Sequence, residues 1–406
     1  MRIALATTEF LTEKTYDGGL SNYIYRLCLS LKVLGHEPIV FVASSKDESI
    51  IYKGITVIKI NERHYTWWYW LINLLTFFRL NPALLYIVRS VYFKKIILNF
   101  HKTQPIDIIQ YTNLKALGLF RPKHIPCTIR ISSYQQLIDQ ASDRKQTFRL
   151  WQKQFLQDWM LKKSKNIFGP SIIIGNHIAQ QLTKTITTIE TPFTLDHAIL
   201  DNSLFDLILQ KTNHQPYLLY FGSLYPLKGV LEIAEILNEF FEKYPTHYFV
   251  FIGKDLGLNG KPIVQHLRAK SGHHQNRILW FDSIPHIQLY PVIQAADLVV
   301  LPSRIDNFPN TCIEAMAFGK VVIGTCKTSF EQLIDHEISG LLCEPKNAKS
   351  LLNCIEHGLK LDKTQKETMG QQAIKRIALL KPEIVVAQLV EYYQGIINSQ
   401  NPPLNP

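Results

Sequence analysis

Four short apolar runs in the second half of the chain each end at a glycine or run into a proline: YLLYFG (217–222), YFVFIG (248–253), LVVLPS (298–303) and VVIG (321–324). Such runs are too short for helices and too apolar to lie against water on either face. They read as strands of a parallel sheet covered on both sides. Between them stand helical patterns such as VLEIAEILNEFFEKY (230–244), with apolar residues at i, i+3, i+4 and i+7. Strand, turn and helix in repetition define a doubly wound, Rossmann-like α/β domain. The first half repeats the theme: strands at IALAT, PIVFVAS, IDIIQY (106–111) and CTIRIS (127–132), and a helix at LSNYIYRLCLSLKVLGHE ending near Gly35.

At 406 residues the chain exceeds one ordinary core. The expectation is therefore two Rossmann-like domains, over residues 1–205 and 206–381. A last helical pattern, PEIVVAQLVEYYQGIINS, opens a segment 382–406 expected to pack back on the first domain, with a frayed tail. No internal repeat of fixed period occurs. The six cysteines are scattered without a CxxC pair, which points to reduced thiols in a cytoplasmic protein and away from a zinc site. The start MRIALATTEF has too short an apolar run for a signal peptide.

The net charge of +11 is carried by one half. Residues 1–205 hold 25 Lys and Arg against 14 Asp and Glu, whereas residues 206–406 hold 19 of each. That asymmetry points to an acidic partner for the first half, or to simple solubilisation. One segment there breaks the α/β pattern: YTWWYWLINLLTFF (65–78) is uncharged, and Arg79, Pro82, Arg89, Lys94 and Lys95 follow it. A membrane span needs about 20 apolar residues. An aromatic helix flanked by bases instead suits peripheral contact with anionic lipid over residues 65–95, at the inner face of a membrane, or alternatively a core helix of the first domain. No nucleic-acid-binding motif accompanies the charge, so nucleic acid is not an expected partner.

Two stretches carry candidate chemistry. In LLYFGSLYPLKGV (218–230) a strand ends at Phe221, Gly222 and Ser223 turn the chain, and Lys228 opens the next helix; amides at a helix start with a lysine suit a diphosphate. In PSRIDNFPNTCIEAMAFGK (302–320) an acid, Asp306, stands eight residues before a second, Glu314, inside an apolar helix. Asn310 is the expected cap, and Glu314 could accept hydrogen bonds from paired hydroxyls such as those of a ribose. The same two residues also suit a turn former and a helix-dipole partner. Neither GxGxxG nor GxxxxGK[ST] occurs, which removes the main support for hydride transfer and ATPase chemistry.

With these residues in view, the chain resembles the family-four glycosyltransferases of the GT-B fold. The likeness runs from YDGGLSNYIYRLCLSLKVLGHE (16–37) through YFGSLYPLKGV, FIGKDLG and the Asp306–Glu314 stretch to SGLLCEP (339–345). The resemblance implies two Rossmann-like domains across a nucleotide-sugar cleft and sugar transfer with retention. The acceptor would be a glycan or a lipid-linked molecule, in cell-surface polysaccharide or glycolipid synthesis. By the same resemblance Glu314 binds ribose hydroxyls, Asp306 addresses the donor sugar and Lys228 holds the diphosphate. Gly18 and Gly19 admit the phosphates, and backbone around Phe308, Pro309, Asn310 and Thr311 completes the cradle. No cofactor is implied beyond the nucleotide-diphosphate sugar substrate, and no metal, since no DxD-like pair is evident.

Three departures accompany the likeness. Asp306 stands where the family usually has Glu, and Ser223 follows Gly222 where Arg is common. Ser132 and Ser133, with Arg130 nearby, replace a frequent His after CTIRIS, leaving Arg130 or Ser132 to position sugar or acceptor. A non-catalytic nucleotide-sugar-binding protein is the alternative these departures suggest. A sugar-nucleotide epimerase fits the two acids less well.

Overall fold

The computed structural model describes residues 1–13, 19–62, 67–142, 145–195 and 199–400. The chain forms two compact units. The first comprises Met1–Asp139, Asp143–Pro192 and Pro382–Pro406, and the second Gln140–Ser142 and Phe193–Lys381. The division thus falls at Phe193, ahead of the start expected at 206.

The first unit is built on eight strands: β1 (Arg2–Thr7), β2 (Glu37–Ser44), β3 (Glu48–Tyr52), β4 (Ile55–Asn61), β5 (Ile108–Thr112), β6 (Cys127–Arg130), β7 (Ile167–Gly169) and β8 (Thr187–Thr188). Their order is β3-β4-β2-β1-β5-β6-β7-β8, parallel except for the β3–β4 hairpin. Every residue of β5 is buried, and Ile39, Val40, Phe41 and Val42 of β2 are fully so. Burying each such side chain contributes about 1.5–3 kcal/mol before chain entropy is subtracted. The helix expected to end near Gly35 runs Gly19–Val33. The last helix, Pro382–Gln400, belongs to this unit: the Tyr393 hydroxyl donates to Gln110 Oε1 at 2.5 Å, and Tyr392 meets Thr128 at 3.2 Å.

The second unit holds β9 (Tyr217–Phe221), β10 (Tyr248–Ile252), β11 (Ile278–Phe281), β12 (Leu298–Val300), β13 (Val322–Thr325) and β14 (Leu341–Cys343). They form one all-parallel sheet in the order β11-β10-β9-β12-β13-β14. The strand order reverses beside β9, so β9 and β12, although far apart in sequence, share an edge where their following loops meet. In open α/β sheets ligands bind at such a reversal, beyond the carboxyl ends of the strands. The amphipathic pattern after β9 forms the helix Val230–Lys243, whose Ile233, Leu237, Phe240 and Phe241 are buried.

The aromatic segment forms the helix Trp67–Leu75, joined through Phe77 and Phe78, both at positive φ, to the helix Asn81–Thr103. Residues 65 and 66 lie outside the described residues. Trp67, Trp70, Leu71, Leu74, Leu75, Phe77 and Phe78 are exposed, and only Tyr69 and Asn73 of the first helix are buried. Among the described residues, no helix is long and apolar enough to cross a membrane.

Candidate active site

β9 stops because Gly222 takes φ +127°, a conformation that L side chains rarely adopt. Its neighbour strand β10 ends the same way, at Gly253 with φ +143°. A Cβ on Gly253 would sit 2.1 Å from the Gly222 carbonyl oxygen, so the two turns pack backbone to backbone. After Gly222, Ser223 offers its carbonyl to the buried Tyr220 hydroxyl at 2.8 Å. Burial, then the nearby Asp306 carboxylate, drives the Tyr220 pKa upward, which keeps it a neutral donor. A short 3₁₀ turn, Pro226–Lys228, then presents Lys228 ahead of the helix Val230–Lys243.

The loop after β12 lies against this turn. Gly229, at φ +76°, leaves room for Pro302: a Cβ there would stand 1.9 Å from the Pro302 carbonyl oxygen. The Arg304 amide donates to the Leu227 carbonyl at 2.9 Å, and the Arg304 Nε donates to the buried Glu232 carboxylate at 2.7 Å. These contacts bring Lys228 to Asp306, where the ammonium donates to Oδ2. The other Asp306 oxygen accepts from the Asn307 amide at 3.0 Å, and its backbone carbonyl accepts from Ser329 Oγ at 2.7 Å. Asp306 is thereby held on three sides, with Lys228 the partner most open to solvent.

Asn310 is not the helix cap. The helix runs Asn310–Ala317, Pro309 occupies the cap position, and no side chain caps it. Proline at the cap fixes φ and has no N–H to leave unpaired, which moves Asn310 one place inward. Phe308 and Pro309 are buried, so only their backbone can face a ligand, and Thr311 is half-buried. A Cβ on Gly222 would lie 3.6 Å from Thr311 Cγ2, which places the first turn of this helix beside the Gly222 loop. Glu314, one turn further in, is 5% exposed. Its Oε1 lies 3.4 Å from Nε2 of His286, the first residue of the helix His286–Ala295.

The structure therefore gathers Gly222, Ser223, Lys228, Asp306 and Thr311 at the carboxyl edge of the second sheet. Glu314 stands on the same short helix. Arg304, Glu232 and His286 were not singled out in the sequence. Their signal is tertiary: the Arg304–Glu232 pair spans 72 residues and the Lys228–Asp306 pair 78.

The candidates of the first unit form their own group. Arg130 closes β6 and is 5% exposed; its guanidinium lies 3.6 Å from the Tyr23 ring centroid and donates to Ser132 Oγ and Thr191 Oγ1, both at 3.2 Å. Burial lowers its pKa, and the same burial raises that of Tyr23. The Ser132 amide donates to Asn113 Oδ1 at 2.8 Å. Gly19 is the exposed first residue of the helix Gly19–Val33, while Gly18 lies outside the described residues.

Among the described residues, one cluster has metal-ligand types: Glu242, His273 and His274. His274 accepts from Arg277 at Nδ1 (2.6 Å) and faces Glu242 through Nε2 (2.9 Å). His274 thus accepts at Nδ1 and donates at Nε2, so its one ring lone pair is already taken.

The fold is that of the GT-B glycosyltransferases. Sucrose-phosphate synthase from Thermosynechococcus elongatus superposes with a TM-score of 0.75 at 18% identity, over 98% of this chain and 99% of that one. Anabaena HepE, solved in complex with UDP-glucose, gives 0.71 at 15% identity, over 97% and 100%. Residues 205–376, within the second unit, match the model of the family Glycosyl transferases group 1. Among curated relatives, D-inositol 3-phosphate glycosyltransferase of Corynebacterium glutamicum is 25% identical over 190 residues, 46% of this chain and 45% of that protein. The chain spans about half the length of the curated relatives it matches.

Proposed function

We propose that the protein is a glycosyltransferase that moves a sugar from a nucleoside-diphosphate sugar to a glycan or lipid-linked acceptor, with retention and without a metal. The observation that carries this reading is the pairing of Lys228 with Asp306 at the carboxyl edge, beside the uncapped start of the helix bearing Glu314. Departure of a nucleoside diphosphate adds about one negative charge at the scissile oxygen. An ammonium and preorganised amides are the groups that stabilise such charge best, because they need not reorganise as it forms. Lys228 is shared: it neutralises Asp306, and an entering diphosphate competes for the same ammonium. Binding the donor then frees the Asp306 carboxylate to accept from sugar hydroxyls.

Glu314 is in a position to accept both ribose hydroxyls, with His286 beside one oxygen to fix the carboxylate's orientation. HepE, in complex with UDP-glucose, is a precedent for a uridine nucleotide as donor. The exposed apolar helix and turn of residues 67–78 and the basic residues after them support peripheral attachment to anionic membrane, at the cytoplasmic face, with a role in surface glycan or glycolipid synthesis. The test is a thermal-shift screen with UDP, GDP, ADP and their sugar conjugates, followed by transfer assays with and without a chelator. Binding of a nucleoside diphosphate with no cleavage of any donor would favour the non-catalytic reading instead.

A further inference from the structure

We infer that the first unit binds the phosphate headgroup of an anionic lipid in a basic cavity at the amino-terminal edge of its sheet. This inference rests on the membrane attachment proposed above and names a headgroup site outside residues 65–95 in sequence, except for Lys94.

The cavity has a volume of about 610 Å³ and is lined by five cationic side chains, Lys94, Arg121, Lys123, Lys163 and Lys165, over a floor that includes Phe120 and Trp159. No Asp or Glu lines it among the described residues. Cys127, which opens β6, and Asn166, just before β7, mark its place at the amino ends of those strands. Arg130 and Ser132 lie at the opposite, carboxyl edge, so the cavity is separate from the site already described. Arg121 is anchored by its own donation to the Gly118 carbonyl at 3.0 Å, and Lys163 Nζ lies 4.0 Å from the Trp159 ring centroid. Five like charges around one cavity repel one another, which an anion relieves.

The helix Phe148–Lys162 leads to the cavity. Phe148, Trp151, Phe155 and Trp159 stack along one face, with successive ring centroids 5.7, 5.4 and 6.5 Å apart. The first three are about half exposed. The ladder ends at Trp159, inside the cavity, edge-on to Phe120 at 6.5 Å. At its start, Gln152 donates to the Arg79 carbonyl at 2.8 Å, just after the exposed helix and turn that carry Trp67, Trp70, Leu74 and Phe77. A soluble phosphate would use the cations and leave this aromatic strip facing water. A lipid uses both: phosphate in the cavity, acyl chains along the ladder. Aromatic residues beside lysines are the composition of an interfacial contact.

The test is vesicle co-sedimentation of the full chain on phosphatidylcholine with and without phosphatidate, alongside thermal shift with inorganic phosphate and with UDP. The expected result is binding that requires phosphatidate. Lys123→Gln with Lys165→Gln, both exposed side chains, weakens it by roughly 30-fold, from the usual gain per basic residue at an anionic surface. Trp151→Ser with Phe155→Ser weakens it at unchanged salt dependence. The UDP shift stays as in the wild type for both pairs, so loss of lipid binding is distinguishable from failure of the donor site. Equal binding to vesicles lacking phosphatidate overturns the headgroup site. So does a phosphate-induced shift without vesicle binding, which assigns the cavity to a soluble anion. Unchanged vesicle binding by the lysine pair overturns it as well.

Discussion

Gly229 offers a test of whether the two loops of the candidate site form one unit. Replacing it with alanine imposes two costs. At φ +76° an L side chain meets its own backbone, at about 1–2 kcal/mol. The new Cβ would also lie 1.9 Å from the Pro302 carbonyl oxygen, so the loop after β12 must retreat by more than an ångström to reach ordinary contact. Overpacking of this kind adds about 1–3 kcal/mol. Gly260 is the matched control in the same unit, at φ +79° with nothing within 4 Å of its Cβ. At about 2–4 °C in Tm per kcal/mol, Gly260→Ala is expected to lose about 2–8 °C, and Gly229→Ala roughly twice as much. The retreat also pulls Arg304 N from the Leu227 carbonyl and Asp306 from Lys228, and misplacement by about 1 Å costs on the order of 100-fold in transfer rate. Thermal unfolding and donor cleavage on both variants decide the matter. Equal Tm and equal activity for the two alanine variants would refute the coupling of the loops.

Glu314→Gln is expected to weaken nucleoside-diphosphate binding by about 10- to 100-fold, the range for hydrogen bonds to a charged acceptor; isothermal titration that finds no change removes Glu314 from the ribose contact. Lys228→Ala should lower turnover by about 100- to 1000-fold, more than it weakens donor binding, because the ammonium acts on charge that develops in the transition state; equal effects on both would make it a ground-state contact only. Burial pushes the Cys343 thiol up to about 12 and Cys354 up to about 11, so iodoacetamide at pH 8 should label both slowly in the folded protein and quickly in denaturant. Rapid native labelling of Cys343 contradicts its burial. Burial acts to raise Asp297, but hydrogen bonds from His247 and Lys366 outweigh it and hold the acid below its usual range. Its pairing therefore stabilises the fold above the unfolded pKa near about 4 and is lost as pH falls through the lower folded value. Asp297→Asn should flatten the acid limb of the stability profile, and an unaltered limb would exclude this contribution.

Where local rules suffice, the sequence reads correctly. β9, β10, β12 and β13 announce themselves because buried parallel strands need unbroken apolar runs and a glycine or proline to leave them. The helices at 230–244 and 382–399 do so because one face must be apolar. β3 escapes notice because it is a five-residue edge strand, ESIIY, with no fully buried residue, β4 because Thr56 and Lys59 interrupt its apolar run, and β7, β8 and β14 because two or three residues carry no period. The cap at Asn310 was misread since Asn is the better cap by composition; Pro309 holds the position once the loop after β12 sets its backbone.

The candidate acids and the lysine stand out by type and spacing, since an acid within an apolar helix needs a reason to be there. That Lys228 bonds to Asp306, or that Arg304 and Glu232 clamp their loops, has no local trace. It follows from β9 and β12 being neighbours at the point where strand order reverses. Arg130 makes the same point in the first unit, where a surface-type residue is buried against Tyr23 and Thr191. The sequence alone determined the alternating α/β architecture and the chemical kinds of group available, because periodicity and turn chemistry are properties of near neighbours. Which of those groups meet, and which cations line one cavity with an aromatic ladder beside it, was decided only by tertiary structure, because such contacts depend on how strands separated by dozens of residues are ordered in the sheet.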